Sequence, residues 1–333
     1  MSTRPLQMLR SAILPLAFGF TLSLGLTACG GDDEATPAAA QQTSQSQADQ
    51  QEIMKYNTYI DAANQINTSF SQELAEHIDR YSEPLKQGKK LSLYSVPLTG
   101  LVDRVNAKLK EAMAMPAAMD DLDPVAKRFS EALSTLAPLN SELENYANSK
   151  GYLSDDSAKA RDMDASYVAA LTAVAEAEQA FFNGLEERDQ KNLRDAFEQA
   201  TPGTSEYFRA GMIVRARDSL KAGDEFFASQ GSTETAAAFK TSLDKVAEMS
   251  DGWSKMVREN NGGTVPATCN SVTSQVNFMV SAGRDAIQSA ERGNYKIDPN
   301  DLMTGRQNTM RTDASRLQHN YNNLVAHLNN GGC

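Results

Sequence analysis

Apolar residues recur at spacings of three and four along most of the chain, the pattern of helices that bury one face. Strand-like alternation of β-branched residues is nearly absent. The first stripe is Ile53, Tyr56, Ile60, Ala63, Asn67, Phe70, Leu74, His77 and Tyr81. It predicts a helix over 52–83, ended by Pro84 and Gly88. A second helix, over 95–115, carries Leu98, Val102, Val105, Leu109 and Met113 and stops at Pro116. A third begins at Asp123-Pro124, a capping residue followed by proline in the first turn. Its stripe runs from Val125 and Phe129 through Leu133, Leu136 and Leu143 to Tyr146, with Pro138 predicting a kink and Gly151 an end. A fourth opens on Ser154-Asp155-Asp156, acids that suit the positive end of the helix dipole. Its stripe, with Tyr167, Leu171, Val174, Glu178, Phe181, Leu185, Leu193 and Phe197, reaches to about 200 and makes it the longest element.

Pro202-Gly203 is the clearest internal break. Beyond it the same periodicity predicts helices over 205–229, 231–259, 270–291 and 300–328. Phe208 and Phe227, Phe239 and Trp253, Val272 and Met279, and Leu317 and Leu324 mark their inner faces. Helices joined by short loops pack as antiparallel neighbours. The expectation is an all-α fold, an elongated antiparallel bundle of about eight helices over 52–333, with sub-bundles over 52–200 and 204–333.

One apolar stretch does not fit this pattern. Arg4 and Arg10 precede a run from Ala12 to Leu26, which is too short to span a bilayer comfortably. Those are the proportions of a signal peptide over 1–28. The run ends in Leu26-Thr27-Ala28-Cys29, which resembles the lipobox of bacterial lipoproteins at all four positions. The resemblance implies cleavage before Cys29 and acylation of its thiol, so that the chain is partnered with a membrane through that lipid. Gly30, rather than Asp, follows the cysteine; resemblance to the sorting rule of Gram-negative lipoproteins favours the outer membrane, facing the periplasm. Residues 29–51 read as the lipidated cysteine and a flexible tether. They are rich in Ala, Gln, Ser and Thr and lack aromatic residues.

Charge narrows the classes of partner. The sequence carries a formal net charge of −11, and loss of Arg4 and Arg10 with the leader makes it more negative. This argues against nucleic acid and against a polybasic contact with anionic lipid. With Cys29 assigned to the anchor, Cys269 and Cys333 remain as an even pair in an oxidising compartment, and a disulfide between them is expected. They flank the last two predicted helices, so an antiparallel hairpin would bring them together. Closing such a loop is worth roughly 4 kcal/mol in the chain-entropy model.

The search for chemistry yields little. His77 lies on the first apolar stripe and reads as a half-buried histidine with a hydrogen-bond partner. His319 and His327 share a helix at a spacing of eight, not the four that presents two ligands to one metal. Asp298-Pro299-Asn300-Asp301 and Asp120-Asp121-Leu122-Asp123 read as acidic helix caps. No phosphate loop, dinucleotide fingerprint or nucleophile elbow occurs. No catalytic residue, metal ligand or cofactor is assigned, and no enzyme activity is expected.

Lys55-Tyr56-Asn57-Thr58-Tyr59-Ile60 opens the helical region and Tyr321-Asn322-Asn323-Leu324-Val325 closes it. With the lipobox and the polar tether, these segments resemble the YiiG-like family of bacterial lipoproteins, a domain of unknown function. The resemblance implies an exported helical protein and supplies no activity. The expected function is therefore a membrane-tethered helical binding or scaffold module with an envelope protein as partner. A helical receptor for a small ligand or ion is the alternative.

Overall fold

The computed structural model describes the backbone of residues 37–295 and 305–329, with side chains over 48–295 and 309–328. The leader, Cys29, the Asp298-Pro299 start and Cys333 lie outside the described residues. The fold is all-α, and no strand occurs among the described residues. No described helix is long and apolar enough to cross a membrane. The chain divides into two units that meet between Arg188 and Asp189.

In the first unit, α1 spans Pro37–Asn64 and so runs into the stretch expected to be tether. Its alanine and glutamine content explains this, since both residues favour helix and neither Gly nor Pro interrupts them after Pro37. Ala48, Asp49, Gln50 and Gln51 are all exposed among the described residues. The inner face differs from the predicted stripe. Lys55, Thr58, Tyr59, Ile60, Ala62 and Ala63 are buried, whereas Ile53 and Met54 are exposed.

The single helix expected over 52–83 is broken. Gln65-Ile66-Asn67-Thr68-Ser69 leaves the helix, and α2 restarts at Phe70–His77. Ser69 caps it, its hydroxyl accepting from the Gln72 amide at 3.2 Å. Small polar side chains that compete for backbone groups are the physical reason for the break. One π-helical turn, Ile78–Ser82, then leads into the short α3, Glu83–Lys86. Gly88 (φ +71°) stops it: its amide bonds the Leu85 carbonyl and that of Lys89 bonds Pro84, a Schellman end. Residues 89–98 form a non-helical strap that turns Leu91 and Tyr94 inward and leaves Leu93 and Leu98 exposed.

Helix α4 (Thr99–Met113) packs on both α1 and α5 (Asp123–Asn148). Helix α5 continues through Pro138. The one-turn α6 (Gly151–Ser154) precedes α7, which spans Ala158–Gln199 and so begins later than Ser154. Aromatic rings knit these helices together: Phe70 meets Phe129 at 6.2 Å, Phe129 meets Phe181 at 5.6 Å, and Phe181 meets Tyr59 at 5.9 Å. Edge-on and tilted pairs of this kind each add about 1 kcal/mol beyond their burial.

The second unit is a four-helix ring built from α8 (Ser205–Ala228), α9 (Thr233–Asn260), α10 (Ala267–Glu291) and α11 (Gly305–Asn329). Successive helices pack side by side, and α11 closes back on α8. Phe226, Phe239, Leu243, Trp253, Val276, Met279 and Leu324 fill its centre. Pro202-Gly203 does follow the end of α7, but the two units divide earlier, inside that helix. The cause is packing. Leu193 is buried in the second unit's core, Phe197 lies against it, and Arg217 pairs with Asp189. A turn signal ends a helix; side-chain contacts decide which core its last turns join.

Candidate functional site

The π-turn shapes the most unusual chemistry in the chain. A π-turn adds one residue to the helical repeat and rotates the following side chains, and such turns concentrate at functional sites. Here His77, Tyr81, Ser82 and Leu85 all face inward. Helix α7 brings Asp164 to the same place. His77 Nε2 lies 3.1 Å from Asp164 Oδ1, and Ser82 Oγ donates to that same oxygen at 2.7 Å. All three residues are buried.

Rings enclose the imidazole. Tyr81 stands edge-on at 5.4 Å, Tyr94 at 6.1 Å, and Tyr167 is tilted at 4.8 Å. Burial pushes the His77 pKa below its usual value, and the hydrogen bond and charge of Asp164 only partly offset this. His77 is therefore neutral near pH 7. Its Nε2–H donates to the Asp164 carboxylate, so Nδ1 is the acceptor. Burial raises the Tyr94 pKa, with Asp164 adding to it, and burial also raises that of Tyr167, so both phenols stay protonated. Tyr167 donates to Asn140 at 2.9 Å, and Tyr81 bonds Ser95 at 2.9 Å.

This arrangement is not a hydrolytic triad. A triad runs in series, with the serine hydroxyl on one imidazole nitrogen and the carboxylate on the other. Here serine and histidine share one carboxylate oxygen, so the histidine has no hold on the serine proton.

A pocket of about 370 Å³ opens beside this cluster. His77 and Tyr81 reach its lining, the strap contributes Ser95 to Leu98, and Leu101 adds an apolar wall. Glu73, Glu76 and Arg80 complete the charged side. Glu76 is engaged by Arg80 at 3.5 Å and by the Gln72 amide group at 3.1 Å. Glu73 has no hydrogen bond or ion pair through its carboxylate among the described residues. Burial raises its pKa, and the neighbouring Glu76 charge raises it further.

A second polar cluster explains the Lys55 segment. The Lys55 ammonium is 2% exposed, donating to Asp123 Oδ2 at 2.8 Å and to the Ala117 carbonyl at 2.6 Å. Tyr59 donates to the other Asp123 oxygen at 2.6 Å. Burial works to raise the Asp123 pKa, but the Lys55 and Tyr59 hydrogen bonds, the Met119 amide and the Lys55 charge outweigh it and leave it lowered. Asp123 is therefore a clamp between α1 and the start of α5, where its sequence position suggested an exposed cap. Glu178, counted on an apolar stripe, is a fully buried carboxylate that accepts the Phe70 amide at 3.0 Å. It sits at the positive end of α2.

In the second unit, the closing segment is also structural. Tyr321 accepts from Arg217 Nε at 2.8 Å, and Arg217 pairs with Asp189 as well. His319 bonds Asn323 at 3.0 Å, and His327 Nδ1 lies 2.9 Å from the Asn323 carbonyl. Among the described residues no group of His, Cys, Asp and Glu is arranged to hold a metal ion. A hollow of about 430 Å³ lies on α8 and α9, but Arg215 and Asp218 on its wall already pair with each other and no buried polar group faces it. The smaller pocket is the better candidate, because a buried histidine and a carboxylate with no partner among the described residues converge on it.

Of the expected site residues, Cys269 is buried in the first turn of α10, while Cys29 and Cys333 lie outside the described residues. A family model described as "Protein of unknown function (DUF3829)" matches residues 50–330. The chain belongs to that family. No curated protein and no solved structure matches it. The match covers both units, and it attaches no activity to the His77 cluster.

Sequence reasoning singled out His77 and missed Asp164, Ser82 and Glu73. Each lies at an ordinary polar position on a helix. Asp164 sits three residues before Tyr167, one turn along the same face, and that was the only local signal that it turns inward.

Proposed function

We propose that this chain is a lipid-anchored protein of the bacterial cell envelope whose helical body binds a small molecule in the pocket beside His77. The observation that carries the reading is a 370 Å³ pocket with a buried, ring-enclosed histidine in its lining. Pockets of 300–1,000 Å³ with a few convergent polar groups are typical small-ligand sites. The His77–Asp164–Ser82 geometry supports recognition, and the protein proposed is one that binds rather than one that catalyses.

The address rests on the leader over 1–28, on Leu26-Thr27-Ala28-Cys29 and on the likeness to YiiG-like lipoproteins. Gly30 favours the outer membrane, facing the periplasm. Cys269 and Cys333 form a disulfide in this proposal. Burial of Cys269 at the start of α10 supports it, as does the packing of α11 against α10, since α11 runs to Asn329, four residues before Cys333 in the sequence.

Palmitate labelling of the full chain in Gram-negative cells, with Cys29→Ala as the control, tests the anchor. Native mass spectrometry of the same detergent-solubilised protein tests the pocket. The expected result is label lost in the variant and a bound small molecule on the native protein. An unlabelled wild type removes the anchor; a bare native mass together with no thermal shift across a metabolite library removes the receptor. A second reading, docking of an envelope protein, is favoured by Leu93 and Leu98, which are 63% and 67% exposed on the strap. Crosslinking in cells that captures one partner through strap positions would establish it.

A further inference from the structure

The charges around the pocket point to the class of its occupant. On the lining, Arg80 neutralises Glu76, and His77 is neutral. Glu73 is left without a cation among the described residues. Directly behind His77 lies the Asp164 carboxylate, whose hydrogen-bond partners, His77 and Ser82, are both uncharged. The pocket therefore carries the negative charge of Glu73, unpaired among the described residues, while the Asp164 charge lies within reach of the exposed Lys86 ammonium. A half-buried carboxylate in that setting is costly for the empty protein, and an entering positive charge relieves the cost. The lining also includes the apolar side chains of Leu98 and Leu101 and the aromatic Tyr81.

We infer that the pocket takes a small organic cation, with an ammonium group on the Glu73 carboxylate and an apolar body against Leu98, Leu101 and Tyr81. The inference rests on the receptor reading given above. The volume of about 370 Å³ suits a body the size of one ring or a short chain. A metal ion is the poorer fit, because Glu76 is already engaged and no metal-binding group of side chains is formed among the described residues. Aromatic faces attract cations as well, and Tyr81 lies within the lining to do so.

The test uses three probes of one shape: benzylammonium, benzyl alcohol and benzoate. Binding to the full chain is measured by calorimetry and located by amide shifts over residues 67–101. Benzylammonium should bind about tenfold more tightly than benzyl alcohol, the effect of one charge-assisted hydrogen bond. Benzoate should bind more weakly than either. Glu73→Gln should erase the preference for the ammonium, and an unchanged helical circular dichroism spectrum shows that the variant is folded. Equal binding of the alcohol and the ammonium, or an ammonium preference that survives Glu73→Gln, overturns the inference. Tight binding of benzoate at the same amides overturns the cation and leaves the receptor reading intact. Failure of all three probes at millimolar concentration overturns both.

Discussion

The two units bury polar groups in different ways. Up to Arg188, the interior is threaded with charge and hydroxyl: Lys55 on Asp123, Glu178 on the Phe70 amide, His77 and Ser82 on Asp164, and Tyr167 on Asn140. From Asp189 onward, most of the interior is an apolar core of aromatic, aliphatic and methionine side chains, with the buried Tyr295–Asp313 hydrogen bond among its few polar members. Its ion pairs, such as Arg194 with Asp218 and Arg284 with Asp244, are mostly exposed, and Arg217 with Asp189 is the main partly buried exception. An apolar core stabilises in proportion to area and tolerates reshuffling of similar volumes. A polar interior gains little net stability, but it permits few arrangements, because every displaced group is left unsatisfied. The first unit is thus the better place for a site that must hold side chains in one geometry, and the pocket lies there.

Mutations can break or sharpen this contrast. The largest effect is expected in the apolar core. Phe239→Ala should cost about 4 kcal/mol in urea unfolding, since the ring is fully buried. A cost below about 1 kcal/mol would mean that the second unit is not held by this core. Next comes the Lys55 clamp. Asp123→Ala should cost about 3 kcal/mol, because it leaves a buried ammonium with only the Ala117 carbonyl. The double variant Lys55→Met with Asp123→Ala should recover most of that loss. If the double variant is worse than the single, the pair is not coupled as the geometry implies.

His77→Phe keeps the ring contacts and removes the donor to Asp164, for a loss of about 2 kcal/mol at pH 7. The sign of its pH dependence follows from the lowered pKa. Folded His77 binds a proton less readily than the unfolded residue, whose value is 6.5. Stability from this group is present above pH 6.5 and is lost as the pH falls through the folded pKa. Subtracting the His77→Phe curve from the wild-type curve should leave this limb, and a flat difference would show that His77 is not buried neutral. Glu73 has the opposite sign. Its raised pKa means that the folded state keeps a proton more readily than the unfolded one, so stability falls as the pH rises through the folded value. The smallest effect belongs here: Glu73→Gln should raise the melting temperature slightly at pH 7. A drop would mean that the carboxylate has a stabilising partner in the folded chain.

The second unit was legible from its sequence and the first much less so. The predicted helices over 205–229, 231–259 and 270–291 correspond closely to α8, α9 and α10, because an apolar core writes itself as a stripe of three and four. The first helix misled for the converse reason. Ile53 and Asn67 fitted the spacing, yet Ile53 is exposed and Asn67 lies in a break. Lys55, which no hydrophobic stripe would include, faces inward. A rule that equates buried with apolar fails where buried polar groups are satisfied by partners far along the chain.

Sequence alone determined the helical class, most helix ends and the inward turn of His77. These depend on interactions within a turn or two: side-chain periodicity and stops such as Gly88 and Pro202-Gly203. Tertiary structure alone decided where the units divide, that Lys55 meets Asp123 68 residues away, and that His77 meets Asp164 87 residues away. It also decided that Glu73 lines a pocket with no ion-pair partner of its own among the described residues. Such pairings depend on which helix faces pack together, and a polar residue carries no local mark of whether it will meet water or a partner.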